Sequence, residues 1–118
     1  MEAEDIRTYC LQKPEVSEHF PFDDVTLVFK VKGKIFALCA LDAHPLWINL
    51  KCDPERSAGL REHHPAITPG YHMNKVHWNT IILDGSLPVP FILGLIDHSY
   101  DLVSASIKGK SKRNTVKK

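Results

Sequence analysis

Lys51, His72, Asn74, Lys75, His77 and Trp78 are the residues whose types and spacing could do chemistry. Two lysines with an asparagine and two histidines can grip phosphate oxygens, while a tryptophan stacks on a base or another small planar group. The same residue types also have a structural reading. Trp78 can cap a sheet, and Asn74 can bond the backbone of an irregular turn. Both readings stand on sequence alone, and the crowding of polar types beside an irregular stretch leans toward a site. A second group, Lys30, Lys32 and Lys34, surrounds the dipeptide Lys32-Gly33. At a hairpin tip these lysines could touch DNA phosphates, or simply keep an exposed turn solvated and free of aggregation.

Other chemistries find less support. His63, His64, His72 and His77 invite a metal, but zinc sites use close ligand pairs with thiolate or carboxylate partners at set spacings. His63 and His64 are adjacent at a helix end, where they suit the dipole. His72 and His77 are five apart, which on a continuous strand puts them on opposite faces. No metal site is expected. Cys10, Cys39 and Cys52 are an odd set without CxxC spacing, each among apolar neighbours, and read as buried thiols in a reducing compartment. A Cys/His pair such as Cys52 and His77 is left open as a nucleophilic arrangement, against which Cys52 shares an apolar face with Leu50. There is no G-x-S-x-G, P-loop or G-x-G-x-x-G.

The elements that must position these residues follow from pattern. Residues 3–13 read as a helix with Ile6, Tyr9, Cys10 and Lys13 on one side, stopped by Pro14. Residues 14–24 read as an acidic loop. Thr26 to Val31 and Lys34 to Leu41 are β-rich arms joined at Lys32-Gly33, where Gly33 accepts the positive φ that a two-residue hairpin demands. Leu46 to Cys52 alternates, with Leu46, Ile48, Leu50 and Cys52 facing one way and Trp47, Asn49 and Lys51 the other, as in a half-buried strand. Asp53-Pro54 starts a helix to residue 64, with Asp53 as N-cap. Residues 65–76 are irregular or hold a short strand broken at Pro69-Gly70. Val76 to Leu83 is the last strand, and a helix over 88–106, capped by Ser86, carries Ile92, Ile96, Ser99 and Val103 on its core stripe. The order α-βββ-α-β(β)-α predicts an α+β two-layer sandwich, an antiparallel sheet with helices packed on one face.

The chain has 118 residues, 43% hydrophobic and 25% charged, which suits one globular domain. The net charge of +1 hides an asymmetry. Residues 108–118 hold six basic residues and no acid, so they carry +6, while residues 1–107 hold 9 basic and 14 acidic residues and carry −5. A domain over 1–107 with a basic, structureless tail over 108–118 is expected. The acids Glu2, Glu4, Asp5, Glu15, Glu18, Asp23 and Asp24 give the first 24 residues a net −5 after Arg7 and Lys13 are subtracted. No apolar run approaches the ~20 residues that span a bilayer, and the acidic start is unlike a secretory signal. A cytoplasmic monomer is expected.

The blocks Leu50-Lys51-Cys52-Asp53-Pro54-Glu55, Pro69-Gly70-Tyr71-His72-Met73-Asn74-Lys75-Val76-His77-Trp78 and Leu83-Asp84-Gly85-Ser86-Leu87-Pro88 resemble the signature of the MmcQ/YjbR family. Asp97-His98-Ser99-Tyr100-Asp101-Leu102-Val103 resembles its C-terminal helix, and the similarity spans roughly residues 3–105. The resemblance implies a frataxin-like (CyaY-like) fold and DNA binding through a double-wing arrangement of strands and hairpins. The candidate contacts are then Lys30, Lys32, Lys34, Lys51, His72, Asn74, Lys75, His77 and Trp78, made to the phosphate backbone. No catalytic residue and no cofactor are expected. The alternative is a non-enzymatic iron-handling or protein-interaction module using the acidic N-terminal surface, as true frataxins use theirs.

Overall fold

In a computed structural model the backbone is described over residues 1–116 and side chains as far as Ile107. The helices are α1 (Ala3–Leu11), α2 (Pro54–His63) and α3 (Val89–Val116). The strands are β1 (Val16–His19), β2 (Thr26–Val31), β3 (Lys34–Ala40), β4 (Trp47–Lys51), β5 (Ile67–Pro69) and β6 (Trp78–Ile82). They form one six-stranded sheet in the order β1-β2-β3-β4-β6-β5, antiparallel at every junction.

Local chemistry explains most boundaries. Lys32 and Gly33 both have positive φ, 50° and 83°, the requirement of the two-residue turn that matches strand twist. The Asp53 carboxylate accepts the Glu55 N–H at 3.0 Å, and Pro54 occupies the first turn of α2. The segment read as an acidic loop contains β1, a short polar edge strand that one partner holds through Val16↔Val31 to His19↔Val28. Four residues of that composition carry too little apolar alternation to announce a strand. Ser86 does not cap α3, because its hydroxyl and its N–H both donate to Asp84 Oδ1. The helical backbone of α3 continues to Val116, past the expected end at 106, through a stretch without proline that is rich in Lys and Ser.

All three helices pack on one face of the sheet. Ile6 and Cys10 of α1 and Ile92, Leu95, Ile96 and Val103 of α3 join Leu27, Phe29, Ala37, Cys39, Ile48, Leu50 and Ile81 in a single buried core, with Leu60 of α2 against it. Burial pushes the thiols of Cys10 and Cys39 up to about 12, so both are inert in the thiol form. At the helix–helix seam, Asp97 receives hydrogen bonds from Tyr9 and Lys13. Partial burial works to raise its carboxyl, but these bonds outweigh that and hold it below the ordinary range.

The register shifts between Phe29 and Lys30, so Phe36 stands as an extra residue in β3. The fully buried Ser99 repairs the ladder there. Its hydroxyl donates to the Phe36 carbonyl at 2.6 Å and accepts the Lys51 N–H at 2.9 Å. Ser99→Ala leaves both backbone groups without a partner, at roughly 1–3 kcal/mol each. A fall in thermal midpoint of about 10 °C is expected by calorimetry; an unchanged midpoint would mean that solvent reaches both groups.

Candidate functional site

Among the described residues no helix covers the sheet's other face. Pairing assigns its side chains in three rows. At the β2–β3 hairpin end lie Ser17, Lys30, Ile35, Lys51 and Trp78. In the middle lie His19, Val28, Leu38, Asn49, Thr80 and Thr68, and beyond them Thr26, Ala40, Trp47 and Ile82. Yet Leu38, Asn49 and Thr80 are all buried. A loop over residues 70–77 roofs them.

That loop is pinned on many sides. Asn49 donates to the Tyr71 carbonyl and accepts from the Thr80 hydroxyl, which in turn accepts the Tyr71 N–H. Asn74 Oδ1 accepts the N–H groups of Val76 and His77, and Lys75 Nζ donates to the Gly70 carbonyl at 2.8 Å. From α2, Arg61 donates to the carbonyls of Lys75 and Trp78 and to Asn79 Oδ1. Gly70 lies so close to β6 that a Cβ there would stand 2.7 Å from Trp78 Cβ and 3.0 Å from its carbonyl oxygen. His72 is held at φ 60°, a left-handed conformation that costs a non-glycine residue about 1 kcal/mol or more.

Between this loop and the segment carrying Phe22 and Asp23 opens a cleft of about 360 Å³, floored by Leu38, Ala40 and Asn49. Its walls are Phe22, Trp47, Tyr71, His72 and Met73. Trp47 and Tyr71 meet edge to face, centroids 5.7 Å apart at 90°, and His72 lies 3.9 Å from the Tyr71 ring. The Asp23 carboxylate sits at the rim. Hydrogen bonds from the N–H groups of Val25 and Thr26 and from the Thr26 hydroxyl hold it below the usual carboxylate range, so it stays ionised.

The nine predicted site residues separate. Lys30, Lys51 and Trp78 come together in the hairpin-end row, with Lys51 directly opposite Trp78. Lys32 bonds Glu15 at 3.3 Å, and Lys34 pairs with Val31 toward the helix side. Asn74 and Lys75 build the loop. His77 is exposed, with its carbonyl accepting the Cys52 N–H, and His72 alone of the nine lines the cleft. Sequence reading missed Phe22, Trp47, Tyr71 and Met73, and placed Asp23 only among the N-terminal acids. The alternation that put Trp47 on the side of Asn49 and Lys51 was the available signal. The N-terminal acids are largely engaged: Glu4 and Glu18 both contact Arg7, Glu18 through two bonds of 2.7 and 2.6 Å. Among the described residues no three His, Cys, Asp or Glu side chains are placed to hold a metal, and no helix is long and apolar enough to cross a membrane.

The comparisons with known proteins agree with one another. The model of a family described as YjbR matches residues 11–102. The chain is similar to the uncharacterised protein YjbR of Escherichia coli K12, 35% identical over 100 residues covering 85% of each chain. It is similar to the uncharacterised protein YbdF of Escherichia coli O157:H7, 36% identical over 111 residues covering 94% of this chain and 88% of that one. Its fold is similar to the crystal structure of Deinococcus radiodurans protein DR2400, a DUF419 domain, with TM-score 0.84 and 46% identity over 87% of this chain and 78% of that one. A Pseudomonas syringae protein matches with TM-score 0.75 and 30% identity over 87% of this chain and 99% of that one.

Gly70→Ala tests how firmly the roof is set. Neither Trp78 atom can swing away, so the loop must lift, at about 1–3 kcal/mol. Lower stability together with moved amide resonances for Tyr71, His72 and Met73 is expected. Resonances left in place would mean that the close approach does not position the cleft.

Proposed function

The chain belongs to the YjbR family, and from that premise we propose that it is a non-enzymatic nucleic-acid-binding module that works through the hairpin end of its helix-free face. The observation that carries this reading is the row Lys30–Ile35–Lys51–Trp78. It sets two lysines, neither ion-paired among the described residues, beside an aromatic ring on one open surface. Lysine ammonium groups attract phosphates as point charges, and a ring beside them can stack on an unpaired base. We also read the architecture as frataxin-like: one antiparallel sheet, terminal helices α1 and α3 packed together on a single face. The hairpin over β2 and β3, with Lys32 and Lys34 near its tip, would supply one wing.

Charge sets the expected strength. The body over 1–107 carries −5, so binding is weak, and the basic residues after 107 add contacts without fixed geometry. Neutralising a phosphate releases a counterion, so log K falls with log salt at a slope of about −0.9 per contact on duplex DNA. In the full-length protein, Lys30→Ala with Lys51→Ala is expected to flatten that slope by about 2 and weaken binding at least tenfold at low salt. Fluorescence anisotropy over a salt series measures both. An unchanged slope would place all contacts on the C-terminal residues and refute this surface. No binding by the unaltered chain at low salt would refute the reading as a whole.

A further inference from the structure

The cleft lies at the opposite end of the helix-free face from Lys30 and Lys51, and its chemistry is different. Two residues along β4, about 7 Å, separate its floor at Asn49 from Lys51. Among the described residues no lysine or arginine lines it, and the one carboxylate that does, Asp23, is exposed at the rim. Phosphate and carboxylate ligands are therefore unfavoured, and aromatic walls with a single negative charge favour a cation.

We propose that this cleft is a binding site for a small organic cation bearing a methylated ammonium head. Three features lead there. Trp47 and Tyr71 stand at 90° with centroids 5.7 Å apart, forming an aromatic corner on the cleft wall, with the His72 ring 3.9 Å from that of Tyr71. Phe22, 65% exposed, and His72 extend the aromatic wall around that corner. A methylated ammonium is attracted to the electron-rich faces of such rings and is only weakly hydrated, so it enters an apolar cleft at smaller cost than a bare ammonium. Asp23 then supplies a Coulombic partner, one already oriented by Val25 and Thr26 rather than free to swing. The volume of about 360 Å³ is at the lower end of the small-molecule range. Strain at His72 fits the same use, since its left-handed backbone turns consecutive side chains, Tyr71 and His72, onto one cavity. The inference is independent of nucleic-acid binding, which uses the other end of the face.

Choline, a trimethyllysine-containing peptide and 3,3-dimethyl-1-butanol, the neutral isostere of choline, are the probes. Each is titrated into full-length protein and followed by calorimetry and by the Trp47 indole N–H resonance. Choline is expected to bind saturably and about tenfold more tightly than the isostere. Asp23→Asn keeps an acceptor for Val25 and Thr26 but removes the charge, and should abolish most of that preference. Tyr71→Ala should weaken choline about tenfold with unmoved core resonances. Tighter binding of the peptide than of choline would identify a protein side chain as the source of the same ammonium chemistry; the reverse would identify a free small molecule. Equal binding of choline and its isostere, or no saturable shift at Trp47 with any probe, overturns the proposal.

Discussion

A sheet has two faces to bury, and the described residues supply helices for only one of them. α3 lies over β2, β3 and β4, α1 packs beside it toward β1, and α2 covers the β5 end, all against one core that includes Leu27, Phe29, Ile48, Leu50 and Ile81. Leu38, Asn49 and Thr80 on the reverse face are nonetheless buried, and a loop has to do that work. A loop cannot shield a sheet without satisfying its own backbone groups. The polar floor is the solution: Asn49 and Thr80 are bonded to each other and to both backbone groups of Tyr71. The cleft exists because the roof is short and covers only part of what the helices leave bare.

This arrangement divides the bare face electrically. Lys30 and Lys51 stand at the hairpin end, while Asp23 and four aromatic or imidazole rings stand at the other. At physiological salt, where the Debye length is about 8 Å, screening weakens but does not remove the influence of each end on the other. The same loop serves both ends, since Trp78 follows it directly and Tyr71 stands near its start. Its anchors, Lys75 and Arg61, are spent on carbonyl oxygens, which takes them out of the pool of cations available to a ligand.

What was legible in the sequence is what local chemistry dictates. The turn at Lys32-Gly33, the Asp53-Pro54 helix start and the two-way alternation of β4 each follow from backbone sterics or period within a few residues. Ser99 on the core stripe of α3 was visible as an oddity, but its role needs the bulge at Phe36, which only strand pairing reveals. β1 was missed because a polar edge strand owes its existence to a partner distant in sequence. The site was half legible for the same reason. Lys51 and Trp78 were grouped by residue type, and pairing does join them. Asn74 and Lys75 were grouped with them by proximity along the chain, and their side chains turn back into the loop. Phe22 and Trp47, far apart in sequence, meet Tyr71 only through the sheet.

The central claim is that the helix-free face, rather than the helical layer or the acidic N-terminal surface, is the working surface. Amide chemical shifts of full-length protein titrated with a short single-stranded oligonucleotide at low salt test it most directly. The account predicts saturable shifts clustered at Lys30, Ile35, Lys51 and Trp78, with Ile6, Ile96 and the other residues of the helical core unmoved. Shifts centred on α1 and α3, or confined to residues beyond 107 with the sheet silent, would contradict it.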